Sequence, residues 1–154
     1  MNKLKTYVLM FSQFFPTSHP RAGEPTFFVD KIARFQKKHT IRKNASLWKK
    51  RIEEVLRGEA ELSLRYWEGK PYRSPQIEFG RLGKEEGVNY QIVNFNGDIM
   101  TPTINHWIQP YADEVAKNDG LSLDDWADWF EGYDLNEDMI IINLCNFRYH
   151  EENH

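Results

Sequence analysis

Apolar residues recur along this chain with two periods, one typical of strands and one typical of helices. In Glu61–Tyr66 polar and apolar residues alternate, which predicts a half-buried strand. Phe28, Ile32 and Phe35 are spaced by four and then three residues, which predicts the apolar face of a helix within Pro25–Gln36. Both periods occur in one short chain, so a mixed fold is expected.

The remaining pattern completes an α+β order. Further strands are expected at Thr6–Phe14, His39–Lys43, Gln76–Leu82, Val88–Phe95 and Met139–Tyr149, and further helices at Leu47–Arg57, Ile108–Lys117 and Leu123–Phe130. Five or six short strands with helices near both ends suit a small barrel. Because no repeat or linker divides the chain, residues 1–149 are expected to form a single domain, with 150–154 as a frayed tail.

Three polar side chains are expected to meet where the first helix leads into the next strand. Lys37 lies at the predicted exit of the helix, and it is followed by Thr40 and Arg42 in the strand. Since side chains alternate along a strand, Thr40 and Arg42 point to one face, while His39 and Ile41 point to the other. An amine, a hydroxyl and a guanidinium at one corner can hold an anionic or carbonyl-bearing ligand and can activate the hydroxyl.

The same residues carry a family resemblance. Lys-x-x-Thr-Ile-Arg after a short helix resembles the signature of ASCH domains, small relatives of the PUA RNA-binding fold, although the family usually has Gly where this chain has Phe35. The segment Ala112–Leu123, followed by a helix and an apolar strand, is similar to the last third of small ASCH proteins that act as 4-N-acetylcytidine amidohydrolases. The resemblance covers roughly Phe27–Arg42 and Tyr111–Tyr149.

This resemblance implies a PUA-like barrel and a metal-free amide hydrolysis that uses no cofactor. The catalytic lysine and threonine of the family fall on Lys37 and Thr40, and its glutamate falls on Asp119, which would pass a proton to the leaving amine. Arg42 would contact the ligand. Because aspartate is one methylene shorter than glutamate, its carboxylate would fall about 1.5 Å short unless the Asn118–Gly120 turn moves inward.

Each of these residues also has an ordinary structural explanation. Lys37 could only complement the dipole at a helix end, Thr40 could only express strand propensity, and Asp119-Gly120 is a common turn dipeptide. A second set of candidate ligand contacts, Lys70, Tyr72 and Arg73, combines two cations with an aromatic ring, as nucleotide sites often do. Exposed loops have this composition by chance as well.

The charge distribution leaves the class of ligand open. Lys31–Arg57 holds ten Lys and Arg against two acidic residues, a net charge of +8, whereas Asp113–His154 holds twelve acidic residues against two basic ones, a net charge of −10. The basic segment could follow an RNA backbone or could be a solvated helix face. The family resemblance implies RNA or a modified nucleoside as the partner, and the alternatives are a non-catalytic RNA-binding module or a protein-interaction domain.

Several other classes of protein are not expected. The single Cys145 excludes an internal disulfide and a cysteine-based zinc site. A His-Glu-x-x-His sequence fills 150–154, but no chain follows it to supply a third ligand, so no metal and no cofactor are expected. No secretory signal or membrane-length apolar run is present, which favours a cytoplasmic protein without a membrane partner.

Overall fold

The computed structural model describes residues 3–151, in which seven strands and four helices follow one another in an α+β order. The strands are β1 (Lys5–Met10), β2 (His39–Arg42), β3 (Ala60–Trp67), β4 (Gln76–Leu82), β5 (Asn89–Asn94), β6 (Thr103–Ile104) and β7 (Met139–Asn143). The helices are α1 (Phe28–Ala33), α2 (Ala45–Leu56), α3 (Ala112–Asn118) and α4 (Leu123–Trp129). The predicted α+β class is therefore confirmed, with one strand more than the five or six expected.

The strands form two sheets. The first has the order β1-β3-β4, in which β1 is parallel and β4 antiparallel to β3. The second is antiparallel and has the order β2-β7-β5-β6, so β2 lies at one of its edges. Within residues 3–151 these strands do not close into a barrel, so the sheet arrangement supports only the α+β class that the sequence predicted.

β7 is the centre of the core because both of its faces are covered. Ile140 and Ile142 pack into a cluster that also contains Leu62 of β3 and Ile52 of α2, and this cluster joins the two sheets. Ile141, on the opposite face, packs into the cluster that contains α3 and α4. A strand buried on both faces needs a continuous apolar sequence, and each fully buried isoleucine contributes about 1.5–3 kcal/mol.

Phe35 does not lie on the apolar face predicted for the first helix. α1 ends at Ala33, and Phe35 follows it in a left-handed conformation with a φ of 58°. The side chain is consequently 66% exposed, while Phe28 is buried. The spacing was correct for a helix, but the helix is too short to carry its third apolar residue.

Two other predicted elements are shorter than expected. The helix predicted from Ile108 begins at Ala112, two residues after Pro110, and the last strand ends at Asn143 instead of Tyr149. Of the predicted tail 150–154, residues 152–154 lie outside the described residues. In the described range, no helix combines the length and the apolar character that crossing a bilayer requires.

Candidate functional site

Lys37, Thr40, Arg42 and Asp119 line one cavity of about 200 Å³. The cavity lies at the edge strand β2, between the residues that follow β1 and the end of α4. Its walls include five aromatic rings, those of Phe11, Phe28, Trp129, Phe130 and Tyr133. The structure therefore brings together the predicted helix-to-strand corner and the predicted acid, which lie far apart in the chain.

Lys37 is buried beside the carboxylate of Asp119. Its Nζ donates to the Asp119 main-chain oxygen at 2.7 Å and to Oδ1 at 3.0 Å, and lies 4.3 Å from the centroid of the Phe28 ring. Burial lowers the pKa of Lys37, although the neighbouring carboxylate opposes this shift. Burial alone would raise the pKa of Asp119, but the Lys37 ammonium and His39 outweigh it and hold that pKa below its usual value. The Lys37 amine therefore loses its proton more readily than a free lysine, and the Asp119 carboxyl more readily than a free aspartate.

The backbone brings Asp119 within reach of Lys37. An antiparallel bridge joins the two residues, and the Lys38 N–H donates to the Asn118 carbonyl at 2.7 Å. Gly120 has a φ of 82°, and a Cβ at this position would lie 3.0 Å from the Lys37 Cβ. Only glycine allows this turn to approach so closely. The turn thus holds the Asp119 carboxylate against the Lys37 amine.

Thr40 and Arg42 share one face of β2, as the alternation predicted. The Arg42 Nε donates to the Thr40 Oγ1 at 3.0 Å, and Nη2 donates to the Met10 carbonyl at 2.5 Å, which links the two sheets. Burial lowers the pKa of Arg42 to about 10, with Asp119 and Tyr133 opposing the shift, so the guanidinium stays charged at neutral pH. Because Thr40 accepts from arginine, its own hydroxyl hydrogen is left for another acceptor.

Sequence reasoning missed His39, whose side chain reaches the same carboxylate. Its Nδ1 lies 3.3 Å from the Asp119 Oδ1 and its Nε2 lies 2.7 Å from the Tyr149 hydroxyl, which also accepts from Asn118 at 3.1 Å. Burial lowers the pKa of His39 and raises that of Tyr149. The imidazole is therefore neutral, and its partners assign the tautomer: Nδ1–H donates to Asp119, and Nε2 accepts from Tyr149.

The alternation of the strand had placed His39 on the face opposite Thr40, away from the ligand. The Asp119 turn packs against that other face and against the residues that follow α1. His39 therefore contacts the Asp119 carboxylate from the side of β2 opposite Thr40. The only sequence signal was a histidine inside a strand that is buried on both faces. Its second partner is 110 residues away, and no local spacing could have indicated it.

Lys70, Tyr72 and Arg73 lie outside this cavity. They belong to the loop between β3 and β4 and are not among the residues that line it. Tyr72 is 88% exposed, and its ring contacts that of Trp67 at a centroid distance of 5.1 Å. The structure therefore divides the predicted site residues into four that converge and three that do not.

The basic segment 31–57 is divided in the same way. Lys31 and Lys38 line a groove beside the Asp119 turn, whereas Lys49 of α2 lines a different groove with residues of β5. On α2, Arg51 stacks over the rings of Tyr7 and Trp48. The segment thus presents its charges at separate surfaces, and a single ligand could not follow all of it in sequence order.

Neither a cluster of metal ligands in the described residues nor a similar protein indicates the chemistry of the cavity. Among residues 3–151 no three His, Cys, Asp or Glu side chains cluster closely enough to hold a metal ion, and most of the His-Glu-x-x-His sequence lies beyond them. No family model matches the chain, and neither a curated protein nor a solved structure matches it.

Two cations and one carboxylate give the cavity a net positive charge. Its volume is below the roughly 300–1,000 Å³ of drug-sized pockets, so it fits a group about the size of one base.

Proposed function

We propose that this chain is an ASCH-like amidohydrolase of PUA-like fold, which hydrolyses the amide of an acylated cytidine without a metal ion. One observation carries the proposal: an amine, a carboxylate, a hydroxyl and a guanidinium meet in a buried cavity with aromatic walls. Aromatic walls suit the faces of a base, and the buried polar groups suit its amide.

Phe35 supports the resemblance to ASCH domains in an unexpected way. The family usually has glycine at this position, and Phe35 adopts the left-handed conformation that glycine accepts without strain. The backbone of this chain therefore keeps a glycine-type turn before Lys37 although the residue has changed. Helices commonly end with such a left-handed residue, usually glycine, so the turn is consistent with the resemblance.

In the proposed reaction the free amine of Lys37 takes the hydroxyl proton while the Thr40 oxygen bonds to the acyl carbon. The carbonyl electrons move to oxygen, and Arg42 stabilises the resulting oxyanion. The carbon–nitrogen bond then breaks, and the departing amino group of cytosine takes the proton from the Lys37 ammonium. Water then attacks the threonine ester and gives a proton to Lys37. The bond between the acyl carbon and the Thr40 oxygen breaks, Thr40 takes the proton back from Lys37, and the carboxylic acid leaves.

Asp119 acts in this scheme by holding Lys37. Its lowered pKa keeps it ionised, which suits a group that orients the ammonium better than one that carries the proton itself. In the described residues Lys37 makes no hydrogen bond to Thr40, because its amine is held by Asp119. Binding of the substrate must therefore bring amine and hydroxyl together, since such contacts often form only in the complex.

The second candidate function is ligand binding without catalysis. It is favoured by the same contacts: Asp119 holds the Lys37 ammonium, and Arg42 occupies the Thr40 oxygen, so both reactive groups already have a partner. A cavity with this arrangement would recognise a modified base by its shape and charge. The two candidates differ in whether Thr40 changes the rate of a reaction or only the affinity for a ligand.

Turnover of a panel of 4-N-acylated cytidines, followed by absorbance, tests the proposal. We expect wild-type protein to hydrolyse at least one member, Thr40→Ala to lower kcat/KM by at least about 100-fold, and Thr40→Ser to retain measurable activity. Lys70→Ala is the matched surface control, and circular dichroism checks the fold of each variant. Equal turnover by wild type and Thr40→Ala would overturn the mechanism. Cytidine binding by folded protein without turnover would favour the second candidate.

A further inference from the structure

Phe35 combines backbone strain with exposure. A bulky residue rarely adopts a φ of 58°, and when it does the strain is usually compensated by packing. Here the side chain is 66% exposed, so little packing compensates it. The left-handed residue ends α1, since the Gln36 N–H donates to the Lys31 carbonyl at 2.8 Å and the Phe35 N–H donates to the Ile32 carbonyl at 3.1 Å, as in a Schellman cap. The turn therefore has a structural role, whereas an exposed phenylalanine at a position that favours glycine has none in the fold, and the surroundings of its ring are informative.

Phe35 stands in an open groove that also contains three lysines. Lys31, Lys38 and Lys117 line this groove, which has a volume of about 450 Å³, and Gly120 and Leu121 complete one side of it. Lys31 donates to the Gly120 carbonyl at 2.7 Å, and Lys38 lies 4.9 Å from the centroid of the Phe147 ring. We refer to these surroundings as the lysine groove.

The lysine groove keeps an uncompensated positive charge. Within residues 3–151 no acidic side chain forms an ion pair with Lys31, Lys38 or Lys117. Asp125, which interacts electrostatically with Lys31, is bound by Arg21 at 2.5 Å. An anion in the groove would thus meet three ammonium groups on a chain whose overall charge is negative.

The lysine groove and the cavity are separated by one turn. Asp119 lines the cavity, Gly120 lines the groove, and Leu121 lines both. A chain of nucleotides with one base in the cavity could cross this turn and place its neighbouring phosphates among the lysines. Phe35 lines this groove and its ring is exposed, so the next base could stack on it.

We propose that the lysine groove binds the backbone of a single-stranded polynucleotide, and that Phe35 stacks on the base beside the one in the cavity. This inference rests on the proposed function, because it assumes a nucleoside in the cavity. It makes the substrate a polynucleotide instead of a free nucleoside. It also predicts which part of the basic segment contacts phosphate: the part before β2 and not α2.

Fluorescence anisotropy with a labelled single-stranded oligoribonucleotide tests the phosphate contacts. For Lys38→Ala/Lys117→Ala we expect weaker binding and a salt slope, in log units, that is smaller by about 1.4, since each contact to a single strand contributes about 0.7. Lys49→Ala/Lys50→Ala, taken from the same basic segment but on α2, should leave both values unchanged. Equal losses in the two double variants, or binding that is insensitive to salt, would overturn the proposal.

Phe35→Gly tests the stacking contact. Glycine relieves the strain, so the Tm should rise, while loss of the ring should weaken oligoribonucleotide binding by about tenfold. A higher Tm with unchanged affinity would show that the ring has no role in binding and would overturn the proposed stacking contact.

Two further arms separate this inference from the catalytic proposal and from a mononucleotide site. Oligoribonucleotide binding by the wild-type protein and its loss in Lys38→Ala/Lys117→Ala can be measured whether or not an acylated cytidine is hydrolysed, so failure of the hydrolysis assay alone would not overturn the groove. Cytidine 5′-monophosphate should compete weakly, because it supplies one phosphate instead of a chain. Competition as strong as that of the unlabelled oligoribonucleotide would overturn the polynucleotide assignment and leave a mononucleotide site.

Discussion

The corner at Lys37–Arg42 and the loop between β3 and β4 contain similar side chains in opposite environments. At the corner, Lys37 is 3% exposed and each cation has a fixed partner. In the loop, Tyr72 is 88% exposed, and Lys70 and Arg73 have no ion-pair partner in the part of the chain that the structure describes. Composition alone could not separate the two regions.

The difference shows what burial adds to a group of polar residues. A buried cation loses its hydration and needs a partner of fixed geometry, whereas an exposed cation keeps its water and needs none. Burial also shifts the pKa values of Lys37 and Arg42 downward. Such shifts cluster at functional sites because chemistry near neutral pH requires them. Variants at the corner should therefore change stability and pH dependence more than matched variants in the loop.

The largest effect is expected when the Lys37 ammonium loses its partner. Asp119→Ala should lower the free energy of unfolding by about 3–5 kcal/mol, because it leaves a buried charge unpaired. Arg73→Ala, the loop control, should change it by less than about 0.5 kcal/mol. Urea denaturation measures both.

A second variant separates charge from packing at Asp119. If the unpaired ammonium causes the loss, adding Lys37→Met to Asp119→Ala should recover most of the stability that Asp119→Ala loses. An additive loss in the double variant would mean that the turn itself, and not the charge, depends on Asp119.

His39 should make the stability of the corner depend on pH. Its folded pKa is lowered by burial, so between that value and about 6.5 the unfolded chain binds more protons than the folded one. Stability should therefore fall as the pH drops below about 6.5, by at most about 1.4 kcal/mol per pH unit. In His39→Asn this loss should be smaller over the same window. A variant with the wild-type slope would show that His39 does not titrate on unfolding.

If Lys37 is the base, the rate should rise with pH. The amine acts when it is deprotonated, so kcat/KM should increase through an apparent pKa below the usual value of about 10.4. The carboxylate of Asp119 opposes this lowering, and Asp119→Asn should therefore move the midpoint to lower pH. A midpoint that moves up in Asp119→Asn would exclude Lys37 as the titrating base.

The sequence predicted the features that depend on the spacing of neighbouring residues, and few of those that depend on contacts between residues far apart in the chain. The placement of Thr40 and Arg42 on one face followed from the period of a strand, and it is confirmed by their hydrogen bond. Asp119 was assigned only through the family resemblance, since its bridge to Lys37 spans 82 residues. The role of His39 depends on a partner 110 residues away. A barrel was expected from the number of strands, but strand number does not determine how the edges of two sheets meet.

Tyr72 offers the smallest expected effect and a comparison with Phe35. It is also an exposed aromatic residue with a positive φ, 64°, and cations lie on both sides of it in the sequence. It differs in its surroundings, because it borders neither the cavity nor the lysine groove. Tyr72→Gly should therefore raise the Tm as Phe35→Gly does, yet change oligoribonucleotide affinity and kcat/KM by less than about twofold. If its affinity falls as far as that of Phe35→Gly, strain and exposure alone mark a binding residue, the predicted Lys70–Arg73 contacts belong to the site, and the distinction between corner and loop is lost.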